Sequence, residues 1–154
     1  MKESLIPVLT FLKKSRLLSF ATISGNGFPQ ISYLYYIYNE GNIFIATTED
    51  SRKVKNIKKI NKVGMMIGTE VEPQILQLEG QAHLVTETEE RLDTLLRIAT
   101  VANQNPNSLN MPPLVSLLKR SDLGIIKVTI DTFKFSDFSL TNAIVIEGTG
   151  RDLA

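Results

Sequence analysis

Leu17 to Thr47 reads LLSFATISGNGFPQISYLYYIYNEGNIFIAT, and this stretch decides the fold. Leu17 to Ser24 is strand-like and ends at Gly25-Asn26-Gly27, a tight turn whose residues accept positive φ. Pro29 to Tyr38 is a second strand, closed by Asn39-Glu40-Gly41, and Asn42 to Thr47 is a third. Two hairpins in succession predict an antiparallel meander. The second strand is unusual, because Ile31, Tyr33, Tyr35 and Ile37 alternate with Ser32, Leu34, Tyr36 and Tyr38, so neither face is polar. A strand of that kind is covered on both faces. One cover is a barrel core; the other is a helix, a second subunit or a flat aromatic ligand.

Working outward, residues 4–14 predict a short helix with Ser4 as N-cap and Leu5, Val8, Leu9 and Leu12 on one face. Ser51 to Ile60 predicts a second helix, with Val54, Ile57 and Ile60 inward and Lys53, Lys55, Lys58 and Lys59 outward. Lys62 to Gly68 is a fourth strand. Gln74 to Val85 is a fifth, whose Leu76, Leu78, Gly80, Ala82 and Leu84 alternate with Gln77, Glu79, Gln81 and His83. Thr86 to Glu89 matches a capping box that opens a helix to about Ala102, with Leu92, Leu95, Leu96 and Ala99 as its buried stripe. A polar loop over 103–110 and a short helix from Pro112-Pro113 to Arg120 lead into a last long strand, Gly124 to Phe135. The final dozen residues, with Gly148 and Gly150, are expected to fray. The whole predicts one domain over 1–154, mainly β in the α+β class: a six-stranded antiparallel barrel, closed or nearly closed, with peripheral helices.

Composition narrows the chemistry. The 154 residues carry a net charge of +1, which gives no overall pull toward nucleic acid or an acidic membrane. Cysteine is absent, which excludes disulfides and thiolate sites, and a single histidine, His83, excludes an all-histidine metal site in one chain. No apolar run reaches the roughly 18 residues of a membrane span, and Lys13 and Lys14 cut short any signal-like start. The expected compartment is the cytoplasm.

The chemistry-bearing segment is Ile43 to Val63. A strand ends in Thr47-Thr48, a short loop follows, and a helix begins at Ser51-Arg52-Lys53. Helix starts present unpaired N–H groups and a positive dipole end, which attract anions. Thr47, Thr48 and Ser51 add hydroxyls, and Arg52 and Lys53 add charge suited to phosphate oxygens. On the residues alone two readings stand: a phosphomonoester pocket, or an N-capping serine ahead of a solvated basic helix.

The ordered set of segments resembles the pyridoxamine-phosphate-oxidase-like FMN-binding split-barrel family. The likeness runs from Leu18-Ser19-Phe20-Ala21-Thr22 through Pro29 to Tyr33, the threonine-ended third strand, Ser51-Arg52-Lys53 and Asn56. It continues through Lys62-Val63-Gly64 to the fifth strand, Leu76 to Ala82. It implies a split-barrel homodimer with an FMN at each end of the interface, acting as a flavin-dependent oxidoreductase. By position it assigns Thr47, Ser51, Arg52 and Lys53, with Thr48 beside them, to the phosphate and ribityl chain. Ser32 and Tyr33 match the strand bordering the flavin ring, and Gln77 lies near where the second subunit reaches the cofactor.

True pyridoxamine phosphate oxidases carry basic side chains on the second strand and an arginine- and histidine-bearing carboxy-terminal motif. Here Gln30 to Tyr36 has no basic residue and the end reads Phe133 to Phe138 without that motif. Vitamin B6 oxidation is therefore not expected. The alternatives are a reductase using the deazaflavin F420 in the same groove, or a protein that holds flavin or haem without turnover. His83 on a polar strand face reads as a surface or interface histidine ahead of a haem ligand. The four tyrosines of the second strand read as packing ahead of a ligand box. No residue stands out as a proton donor, so none is assigned.

Overall fold

A computed structural model describes residues 3–68, 71–104 and 119–154. The predicted polar loop and most of the proline-led helix lie outside the described residues. A single 3-10 turn, Glu3–Leu5, leads into α1 (Ile6–Lys14). The strands and helices that follow are β1 (Leu17–Ile23), β2 (Pro29–Asn39), β3 (Asn42–Thr48), α2 (Arg52–Lys59), β4 (Lys62–Gly68) and β5 (Gln74–Leu84). Then come α3 (Thr88–Asn103), β6 (Leu123–Asp137), β7 (Ile144–Thr149) and one turn of helix, α4 (Gly150–Leu153).

The meander forms as the sequence predicts. β2 and β3 join through Glu40 (φ 44°) and Gly41 (φ 73°), the doubly left-handed turn that suits a two-residue hairpin. Every pairing is antiparallel, in the order β3-β2-β1-β4-β5-β6-β7, and β3 pairs back onto β6 to close a six-stranded barrel. β6 is long enough to serve twice along one edge. Its residues from Leu123 to Thr129 pair with β3, and those from Thr132 to Asp137 pair with β7. Asp131 is an extra residue between the partners of Glu79 and Gly80, a bulge that bends the strand where it changes partner. Gly80 is required there, since a Cβ would lie 2.3 Å from the Thr129 carbonyl oxygen.

The barrel is filled by Leu18, Phe20, Tyr36, Ile43, Ile45, Leu76, Leu78, Ile126 and Val128, all buried. α1 covers the end where Tyr36 lies, with the Tyr36 hydroxyl donating to the Leu12 carbonyl at 2.8 Å. α2 covers the opposite end, beside Thr22 and Gln30. α3 packs outside, its Leu95 and Ile98 against Ile37, Phe44, Leu123 and Ile125.

The structure corrects several readings, among them Ile60, which is exposed at the end of α2 and not inward. Ser4 does not cap α1, whose N-cap is Leu5 with no side-chain hydrogen bond. α3 is capped not by Thr86 but by Glu87, whose carboxylate accepts from the amides of Glu89 and Glu90. Its buried stripe is Thr94, Leu95, Ile98, Ala99 and Ala102, which leaves Leu92 and Leu96 exposed. The carboxy-terminal residues, expected to fray, form β7 and α4, which adds a seventh strand to the six of the expected barrel. Their anchor is Leu153, which is buried and whose carbonyl accepts from the Tyr38 hydroxyl.

Candidate functional site

One face of β2 meets different surroundings along its length. Tyr35 and Ile37 lie under α3, whereas Ile31 and Tyr33 are 71% and 64% exposed. β2 pairs with β3 only over Tyr36–Asn39 and with β1 over Pro29–Tyr35. Its amino-terminal half therefore presents an edge to which no described strand bonds. Ser32 and Tyr33 lie on that half-open stretch.

β3 runs on past the last β2 pair and ends in Thr47 and Thr48, held by β6 through Gly124 and Leu123. The chain then turns into α2, with Ser51 as N-cap: its hydroxyl accepts from the Val54 amide at 3.4 Å. The hydroxyls of Thr47 and Ser51 stand 3.4 Å apart, and the Lys53 ammonium donates to Thr47 Oγ1 at 3.3 Å. Two hydroxyls and an ammonium from two elements thus converge at a helix start. Thr47 is buried, Lys53 half-buried and Arg52 exposed.

Cations occupy the first turn itself, with Glu49 and Asp50 just ahead of the cap. The first turn of α2 contains no acidic residue, and among the described residues neither Arg52 nor Lys53 has a carboxylate within ion-pair distance. Partial burial, and then the neighbouring Arg52 guanidinium, hold the Lys53 ammonium below the usual lysine range. An anion at this point would favour the charged ammonium against both effects. The donor set fits a phosphate: hydroxyls, a guanidinium, an ammonium and the N–H groups of the first helical turn, while Glu49 pairs with Arg91 and Asp50 is exposed ahead of the cap.

Behind this corner lies an arrangement of which the sequence singled out only Asn56. The Asn56 amide donates to Thr22 Oγ1 at 2.9 Å and to Gln30 Oε1 at 2.8 Å, and Thr22 and Gln30 are cross-strand partners in β1 and β2. The available signal was an asparagine between the inward positions Val54 and Ile57 of a helix otherwise basic outside and aliphatic inside.

Gln77 is apart from this group within one chain. Ladder pairs place Tyr33, Ser19, Met66 and Gln77 in one row across β2, β1, β4 and β5. At about 4.8 Å per strand, Gln77 is on the order of 14 Å from Tyr33 along that outer face. His83 is exposed on β5 opposite Lys127, and no group of three metal-binding side chains forms among the described residues.

The family-wide sequence pattern described as pyridoxamine 5'-phosphate oxidase matches residues 7–134. The chain belongs to that family. No curated protein matches the sequence. Solved structures related to this family member in fold include conserved hypothetical protein Rv2991 from Mycobacterium tuberculosis (19% identity, 89% of this chain and 85% of that one, TM-score 0.70). They also include HutZ, the haem storage protein from Vibrio cholerae (16% identity, 95% and 96% coverage, TM-score 0.65). An F420 reductase is similar too (21% identity, 80% and 93% coverage, TM-score 0.64). At such identities the likeness speaks for the split-barrel fold alone. No described helix of this family member is long and apolar enough to cross a membrane.

Proposed function

We propose that this member of the family is an FMN-binding, flavin-dependent oxidoreductase that works as a homodimer. The observation that carries the reading is the convergence of Thr47, Ser51 and Lys53, with Arg52 beside them, at a helix start whose first turn holds no acidic residue. Thr47, Thr48, Ser51, Arg52 and Lys53 would hold the phosphate and ribityl end, and the open edge of β2 at Ser32 and Tyr33 would border the ring. Gln77, set across the outer face from its own chain's Tyr33, would serve the cofactor of the second subunit. Bound FMN supplies a two-electron redox centre; the protein supplies binding, orientation and exclusion of water. Pyridoxamine phosphate is not the substrate in this reading, because β2 from Gln30 to Tyr36 offers no basic side chain for a second phosphate.

The experiment compares FMN with riboflavin, which lacks the phosphate. A charge-assisted hydrogen bond contributes roughly 1.5 to 3 kcal/mol. Arg52→Ala should therefore weaken FMN binding about ten- to a hundredfold while leaving riboflavin binding nearly unchanged. Equal losses for both ligands would assign Arg52 to a solvated helix face. Purified protein that absorbs as a haem or deazaflavin complex, and does not take up FMN, would replace FMN by that ligand.

A further inference from the structure

A second concave surface lies away from the α2 corner. α1, the Ser15-Arg16 linker, the carboxy-terminal half of β2 and the last turns of α3 line a cleft of about 590 Å³. Its floor is Tyr36 and Ile37, and its walls carry Lys13, Lys14, Arg16 and Arg97 with not one carboxylate among the lining residues. From Ser32 to Ile37 along β2 the separation is on the order of 16 Å, so the cleft is distinct from the proposed flavin edge.

The walls are fixed. The Tyr36 amide donates to the Arg16 carbonyl at 3.0 Å, and the Tyr36 hydroxyl holds Leu12. α3 is seated on β2 through Ile98 and Ile37. Of the four cations only Lys14 has an ion-pair partner among the described residues, Glu72. Residues 105–118, which continue from α3, contain no aspartate or glutamate that could neutralise the rest. Lys13 and Lys14 alone would be explained as the basic end of α1 opposing its dipole. Arg16 and Arg97 would not, since they come from a linker and from a different helix. In a chain with a net charge of +1, four cations in one cleft is a concentrated charge.

We propose that this cleft is a second anion-binding site, which takes a small polyanion of the phosphate class. Two guanidiniums from separate walls can each grip a pair of oxygens, and the Lys13 ammonium, which unlike Lys14 has no ion-pair partner among the described residues, balances further charge. The site is independent of the flavin reading, because it shares no residue with the α2 corner.

Pyrophosphate is the probe, titrated into the full chain with its bound cofactor and followed by amide chemical shifts. The expected result is saturable binding with shifts centred on Ser15, Arg16, Ile37 and Arg97. The Arg16→Ala/Arg97→Ala pair should lose at least tenfold in affinity, and the Arg16→Lys/Arg97→Lys pair should recover part of it. Lys58→Ala/Lys59→Ala removes equal charge from the exposed end of α2 and should leave binding unchanged. A parallel titration with citrate separates a phosphate site from a general polyanion site: equal affinity would overturn the phosphate assignment. Absence of saturation, or equal losses in the arginine and lysine pairs, would overturn the site itself. Loss of pyrophosphate binding with intact FMN binding would leave the flavin reading untouched.

Discussion

The Asn56 side-chain amide donates to Thr22 Oγ1 at 2.9 Å and so fastens α2, from its centre, to the hairpin of β1 and β2. Its second donation, to Gln30 Oε1, reaches the open-edged half of β2 itself, two residues before Ser32. Helix start and strand edge are thereby held at one spacing by a single buried side chain.

Asn56→Leu should therefore act on both stability and binding. It leaves the buried Thr22 hydroxyl without this donor, a loss of about 1 to 3 kcal/mol, measurable by denaturant unfolding. FMN affinity should fall as well, and riboflavin affinity with it, because the spacing and not the phosphate contact is disturbed. A stability loss with unchanged binding of both ligands would confine Asn56 to a structural role.

Lys53 predicts a pH dependence. Burial first, and Arg52 second, place its protonation below the usual 10.5, so the empty fold disfavours its charged form. Between the lowered folded value and 10.5 the unfolded chain binds more protons, and the stability of the ligand-free protein rises with pH across that window. A bound phosphate reverses the preference. FMN affinity should fall as pH climbs from neutral toward 10.5, with the onset displaced upward in Arg52→Ala, where one of the two causes is gone. Fluorescence titrations across that range decide it; an onset indifferent to Arg52 would separate the two charges.

The open face of the sheet predicts the oligomer. Phe28, Ile31, Tyr33 and Met66 are 68%, 71%, 64% and 46% exposed, and Tyr33 and Met66 belong to the row that runs to Gln77. Apolar exposure on that scale marks an interface. Sedimentation should report about twice 17.2 kDa. Tyr33→Asp should yield a folded monomer with weakened FMN binding; a stable native monomer would remove the shared site.

Gly150 predicts a local failure. A Cβ there would lie 1.8 Å from the Ile130 carbonyl oxygen, backbone that cannot yield. Gly150→Ala should lift α4 off the barrel and release Leu153, whose burial contributes roughly 2 kcal/mol. Hydrogen exchange should quicken in β7 and α4 while β1 to β5 keep their protection. Uniform loss of protection would mean that the carboxy-terminal turn is part of the barrel's cooperative unit.

The sequence by itself determined the elements whose signals are local. Alternation in β5, the glycine turns of the meander and the Ser51 cap of α2 each depend on a few neighbouring residues, and each is observed where it was read. The candidate phosphate residues Thr47, Ser51, Arg52 and Lys53 were legible for the same reason, being contiguous across one strand–helix junction. Tertiary structure decided what depended on distant partners. The buried face of α3 follows Ile37, Phe44 and Ile125 beneath it, so Thr94 is buried while Leu92 and Leu96 stay exposed. The glycines at 148 and 150 suggested a loose end, yet each lies where another chain segment comes too close for a side chain: the Phe133 ring and the Ile130 carbonyl. Absence of a Cβ looks the same in a string of letters whether it permits motion or close contact. Only packing against residues far along the chain tells the two apart.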